Sequence, residues 1–212
     1  MTTTRSTTVP GWLLATAAKH RIGAWRCIGG LLLLALLFGQ SRWEESWVEA
    51  AVFSLGLVLA GIATVGRLWC ALYIAGRKTR QLTVDGPYSI CRHPLYLFNA
   101  IGLIGIGFAA ESVMLPLVLA CGFAITYPAV MASEERRLEQ MFGDPYRRYR
   151  AAVPRFFPRW SRPTQPNWVE VHTESFVRSI FDSVWFVFTV GALEVIEALH
   201  EFGVLPVLWS YY

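Results

Sequence analysis

Two polar stretches hold the residues able to do chemistry. One is LTVDGPYSICRHPLY, residues 82–96, and the other is EERRLEQMFGDPYRRYRAAVPRFFP, residues 134–158. In the first, Pro94 suits the opening position of a helix, where no amide donor is needed. His93 then stands at the helix start with its ring free. The local dipole favours an anion there, so a carboxylate or phosphate can dock. Plain capping, or contact with lipid headgroups, is the competing reading. In the second stretch Glu134 and Glu135 are adjacent, so on a helix they point about 100° apart. One can face a pocket while the other meets solvent, and an acid in a pocket suits a cationic or amine-bearing ligand. The competing reading is an exposed pair such as Glu134 with Arg137, worth only ~0.3–0.5 kcal/mol. Tyr146, Tyr149, Arg155, Phe156 and Phe157 read mostly as a belt at a membrane interface. Cys91 reads as structural. Cys27, Cys70, Cys91 and Cys121 include no C-x-x-C pair of the kind that binds metal or does redox work, so no metal is expected.

The elements that must position these residues are apolar. Residues of the AVILMFWYC set make up 54% of the 212-residue chain, and charged residues only 16%, against about 25% charged in an average soluble protein. The net charge of +4 sits mostly on arginines that flank apolar runs, which is the pattern of a membrane protein rather than of a nucleic-acid partner. Those runs are Ile22–Phe38, Val48–Gly66 continuing to Ala75, Leu95–Ala110 and Val113–Ala132. The second exceeds the ~20 residues a bilayer needs, so it should project beyond the membrane at its Arg67 end. Arg67 reads as a snorkelling or helix-pairing residue. Runs three and four form a hairpin, with Pro116 and Pro128 near the ends of run four, and EERRLEQMF reads as a helix that Gly143-Asp144-Pro145 ends. In the tail, Phe176–Leu199 is apolar but carries acids, with Glu194, Glu197 and Glu201 on one face. An amphipathic helix on the membrane surface fits, and so does a fifth embedded helix whose acids face protein; a membrane-associated helix is favoured and its crossing is left open. The fold expected is an all-α integral membrane protein with about four transmembrane helices and a C-terminal membrane-associated helix. Residues 1–76 form an N-terminal two-helix segment, 77–162 a core and 163–212 a tail. The first apolar run reads as retained rather than cleaved, since no small-residue cleavage site follows it. Basic loops place the N-terminus and both polar stretches on the cytosolic side.

Taken in order, DGPY, RHPxY, EExxL and FGxxYxxY around an apolar hairpin resemble the isoprenylcysteine carboxyl methyltransferase family, in whose broader group the phospholipid N-methyltransferases also fall. The likeness spans about residues 77–158. It implies a multi-helix membrane enzyme that uses S-adenosylmethionine at the cytosolic face and acts on a lipophilic acceptor borne by the membrane. It also implies the cofactor ligands: Arg80, Gln81, Leu82 and Thr83 before the turn, Tyr88 after it, then His93, Pro94, Leu95, Tyr96 and Glu134. Two positions depart from the family pattern. Phe98 stands where a glycine is common, and Val130 stands where the carboxyl methyltransferases carry an arginine for the substrate carboxylate. Asn99 and Tyr127 are candidates for the acceptor side, and no general base is named. Two rivals remain: a sterol-reductase-like membrane enzyme using NADPH, which shares an RHPxY-like hairpin, and a non-catalytic protein that keeps the fold.

Overall fold

The computed structural model describes residues 37–41, 46–76, 81–159, 161 and 163–211. Arg80 and nearly all of the first apolar run lie outside the described residues. The rest is almost entirely helical. Helix α1 is Ser46–Ile74, α2 Pro87–Ile90, α3 Pro94–Ala109, α4 Met114–Phe142, α5 Asp144–Ala152 and α6 Thr173–Glu201. Short strands β1, Gly39–Ser41, and β2, Trp209–Tyr211, pair in parallel. Three segments, Trp47–Ile74, Met114–Phe142 and Thr173–Glu201, are long and apolar enough to cross a membrane, and α3 is a shorter apolar helix. Most of their large apolar side chains face outward, among them Val58 and Val65 of α1, Ile125 of α4 and Phe188 of α6. In water that pattern would be costly, whereas lipid accepts it. The chain is an all-α membrane protein.

Helix α3 is the hub, touching α1, α4 and α6. Its glycines explain how. A Cβ on Gly105 would lie 2.9 Å from the Ala60 amide nitrogen, one on Gly102 would enter the Phe186 ring of α6, and one on Gly107 would strike Pro116 of α4. Opposite, Gly56 lies against the backbone of Ala109. Helices α1 and α3 therefore meet through Gly56/Ala60 and Gly105/Ala109, small residues one turn apart, which is how apolar helices associate without a hydrophobic drive from lipid. Ala60, Ala63, Ile106, Ala109, Phe186 and Val190 form the core of this three-helix contact.

Two elements run further than the sequence pattern suggests. Helix α4 continues unbroken through Pro128 to Phe142, so EERRLEQMF is helical up to Gly143 as expected and is continuous with run four, and Pro128 sits in mid-helix rather than near an end. At 1.5 Å per residue its 29 residues span about 43 Å. The last third, which carries Glu134 and Glu135, thus projects past a hydrocarbon layer of about 30 Å. Helix α6 packs antiparallel along the whole of α1 instead of lying apart from it. The Thr64 hydroxyl donates to the Ser183 carbonyl at 3.2 Å, Phe186 and Val190 meet Ala60, and His172 lies over Gly76. That is the packing of an embedded helix. Of the three acids Glu194, Glu197 and Glu201, Glu197 faces protein, while Glu194 and Glu201 are exposed.

Candidate functional site

The ends of α1, α3 and α4 leave a cleft on one side of the bundle, roofed by the loop before α2 and by α5. Its construction begins with Asp85-Gly86-Pro87-Tyr88. Gly86 has φ 59°, and its missing side chain admits the Tyr73 ring, which would lie 2.4 Å from a Cβ. Only glycine meets both demands cheaply. Pro87 then opens α2, and Tyr88 is delivered into the cleft wall, packed with Cys70 and Tyr73. After a break at Cys91 and Arg92, Pro94 opens α3 with His93 as its N-cap, and no side chain caps that helix start. The chain after α5 returns across this loop. The Arg92 amide donates to the Pro154 carbonyl at 2.9 Å, the Arg159 amide to Ile90 at 2.9 Å, and the Gly86 amide to Thr164 at 2.7 Å.

The cleft holds about 90 Å³ of accessible space behind an open mouth. Gln81, Leu82, Thr83 and Tyr88 line one side, and His93, Leu95, Tyr96 and Glu134 the other. Pro94 does not line the cleft. It is fully buried and fixes the helix start that does. Arg80 lies outside the described residues. Asn99 and Tyr127 are elsewhere. Asn99 accepts a hydrogen bond from the Arg67 guanidinium. The Tyr127 ring stacks on Phe123 at 3.8 Å and meets the Tyr96 ring edge-on at 5.3 Å, so it supports Tyr96 from behind. Phe98, in place of a glycine, is received by Gly66 of α1, whose Cβ would fall in its ring.

The two adjacent glutamates differ sharply, but not as pocket against solvent. Glu135 is the more enclosed, with its side chain 14% exposed, and its Oε1 meets Arg92 at 2.9 Å, His93 Nε2 at 3.0 Å and Arg155 Nε at 3.2 Å. Glu134 lines the cleft, lies 3.8 Å from His93 Nδ1, and touches no arginine or lysine among the described residues. Glu135 is thus a strut that ties α4 to the α3 start and to the returning strap, and Glu134 keeps its charge for the cleft. His93 is 5% exposed. Burial lowers its pKa from 6.5, and the bond to Glu135 opposes the shift without reversing it. Burial likewise pushes the Cys91 thiol up to about 11, which leaves it a packing group rather than a nucleophile.

Arg92, Tyr149, Leu138 and Ile74 also line the cleft, and the sequence reading names none of them as a cofactor ligand. Tyr146 and Tyr149 overturn the reading of an interfacial belt. Tyr146 is wholly buried, and the Tyr149 hydroxyl donates to the Tyr88 carbonyl at 2.7 Å. Their spacing was the available signal, since residues three apart share one face of a helix. Gly143, at φ 57°, makes the sharp junction from α4 that turns this face inward. Phe157, 80% exposed, does fit a belt.

Residues 48–145, which contain nearly all of α1, all of α2 to α4 and the lining residues from Gln81 to Leu138, match the family model described as phospholipid methyltransferase. The chain belongs to the phospholipid methyltransferase family. Two relatives follow it over most of its length. The cobalt-zinc-cadmium resistance protein CzcN of Cupriavidus metallidurans is 46% identical over 187 residues, 88% of this chain and 86% of that protein. The nickel-cobalt-cadmium resistance protein NccN of Alcaligenes xylosoxydans xylosoxydans is 42% identical over 197 residues, 93% of this chain and 92% of that protein. No solved structure matches. The phospholipid methyltransferase match stops before the Tyr146 and Tyr149 face, the strap and α6, yet Tyr149 lines the cleft.

Proposed function

We propose that this protein is an S-adenosylmethionine-dependent methyltransferase whose cleft opens to the cytosol and whose acceptor is a lipophilic molecule of the membrane. The observation that carries this reading is the meeting of the DGPY, RHPLY and EERRL segments around one cleft in a member of a methyltransferase family. The donor set fits the cofactor. A carboxylate suits the uncapped start of α3 beside His93. An ammonium suits Glu134, whose charge no arginine or lysine among the described residues takes up. Leu82, Leu95, Leu138 and Tyr88 offer apolar and aromatic walls for a purine.

When bound, the cofactor supplies a sulfonium methyl: the acceptor's lone pair bonds to that carbon as the carbon–sulfur bond breaks, and sulfur keeps the electron pair. The protein's own part is to align the reactants and to exclude water. Glu135, Arg92 and Arg155 hold the α3 start against α4, so the His93 and Glu134 ends of the cleft keep a fixed separation. Tyr149 and Tyr88 close the cleft from the α5 side. The cytosolic orientation follows from the arginines that flank the cleft. The relatives are named for resistance to cobalt, zinc, cadmium and nickel, and we assign the methylated product to that response on those names alone.

Incubation of the protein in nanodiscs with methyl-labelled cofactor and a bacterial lipid extract tests the reading. Label in an organic-extractable product is expected, and the same preparation of Glu134→Ala gives none. Labelled product from both proteins alike removes Glu134 from the reaction. No product from either, with S-adenosylhomocysteine leaving the melting temperature unchanged, overturns the methyltransferase reading.

A further inference from the structure

A second cavity lies beside the cofactor cleft, between α1, α3 and α6. It holds about 530 Å³, and its lining includes Arg67, Ala71, Leu95, Ser179 and Asp182. Leu95 and Ile74 line both cavities, so these two side chains form a shared wall between them. From Trp47, Arg67 is 20 residues along α1, about 30 Å at 1.5 Å per residue. That is one hydrocarbon thickness, which puts the guanidinium at the cleft-side edge of the bilayer, where lipid head groups begin.

Arg67 is held by neutral groups and makes no ion pair among the described residues, while the Asp182 carboxylate of the same cavity acts on its charge without touching it. Its guanidinium donates to the Asn99 side chain and, at 2.9 Å, to the Asp182 backbone carbonyl, and it lies 5.6 Å from the centre of the Phe186 ring. None of these partners is a carboxylate, and its buried Nε–H has no partner. The hydroxyls across the cavity do not compete as donors. Ser179 donates to the Ser175 carbonyl at 2.9 Å and Ser183 to the Ser179 carbonyl at 2.6 Å. An arginine near lipid without a contacting counter-charge is costly, and such residues mark ligand paths.

We propose that this cavity is the acceptor chamber and that Arg67 recognises the acceptor through a negatively charged oxygen, a carboxylate or a phosphate, at the junction of its head and its apolar tail. The proposal rests on the methyltransferase reading and adds the class of acceptor. It also assigns a role to α6, which the family match does not reach. Position 130 offers only a valine for such an anion and does not line this cavity, whereas Arg67 does.

Photo-crosslinking in nanodiscs tests this with three diazirine probes of equal chain length: a fatty acid, its neutral alcohol and a phosphatidic acid. One or both acidic probes should label α1 and α6 at the chamber, and the alcohol about tenfold less, since charge-assisted bonds are the strong ones. Arg67→Gln should lower acidic labelling to the level of the alcohol, with S-adenosylhomocysteine affinity unchanged in calorimetry. Ser179→Phe, which fills the chamber and leaves Arg67 in place, should block all three probes and so covers the case of a misfolded Arg67 variant. Labelling indifferent to head charge, or unaltered by both variants, overturns the chamber while leaving the methyltransferase reading standing. Wild-type protein that labels as expected but does not bind S-adenosylhomocysteine overturns the methyltransferase reading, and with it the role as acceptor chamber.

Discussion

Glu134 and Glu135 are neighbours in sequence and should fail in opposite ways when truncated. In Glu135→Ala the carboxylate that meets Arg92, His93 and Arg155 is lost. Breaking a buried charge network by removing one partner costs about 3–5 kcal/mol. Arg155 is 39% exposed, so its share falls to the ~0–1 kcal/mol of a surface pair. Arg92 and His93 are nearly enclosed, at 12% and 4%, and set the bulk of the cost. The expected loss is therefore ~3 kcal/mol, or about 6–12 °C in melting temperature for a chain of this size. Glu134→Ala removes a cleft carboxylate, 33% exposed, whose one ion-pair contact among the described residues is His93 at 3.8 Å. It should melt within ~2 °C of wild type, like an ordinary surface change, yet bind no S-adenosylhomocysteine. Thermal unfolding in detergent alongside calorimetry reads both quantities. A stable Glu135→Ala, or a Glu134→Ala that melts early and still binds, would refute the division into strut and ligand.

Three further outcomes follow from the same geometry. Burial holds the His93 pKa below 6.5, so the unfolded chain binds the extra proton first. Stability is then full above 6.5 and declines as pH falls through the folded value, and His93→Gln should flatten that slope in acid melting curves. At the far end of the bundle the carboxyl oxygens of Glu49, Glu111 and Glu197 lie within 4.8 Å of one another. Glu111, in the turn between α3 and α4, is pushed up to about 9 by burial and then by Glu49. Here the folded state keeps a proton that the unfolded chain loses above 4.5, so stability declines as pH rises from 4.5 towards 9, and Glu111→Gln should remove that decline. At the helix crossing, Gly105→Val forces a side chain against the Ala60 backbone and should cost about 1–3 kcal/mol or more. Gly61→Ala, which meets nothing within 4 Å, serves as the control in the same melting assay.

What the sequence could reveal depended on how local the physics was. The start of α3 was legible because proline at the first helical position is a one-residue rule, and Pro94 obeys it. The convergence of the Gln81–Thr83 stretch with His93 and Glu134 was legible only through the ordered motifs, since no local rule joins residues 50 positions apart. The division between Glu134 and Glu135 was not legible. It depends on which face of α4 meets Arg92 and Arg155, and Arg155 arrives on a strap whose path is set by backbone bonds to Pro154 and Thr164. Tyr146 and Tyr149 were misread because aromatics among arginines look interfacial, and the Gly143 junction that turns them inward leaves no mark beyond one glycine. The position of α6 was ambiguous because its acids suit a water-facing helix, whereas Ser183, Phe186 and Val190 form the stripe that packs on α1.

The central claim is that two separated polar segments form one pocket for a charged nucleoside. Calorimetric titration of S-adenosylhomocysteine into the full-length protein in nanodiscs tests it most directly. One molecule bound per chain by wild type, and none by Glu134→Ala at unchanged melting temperature, is the result predicted. Equal binding by both proteins, or no binding by well-folded wild type, would contradict it.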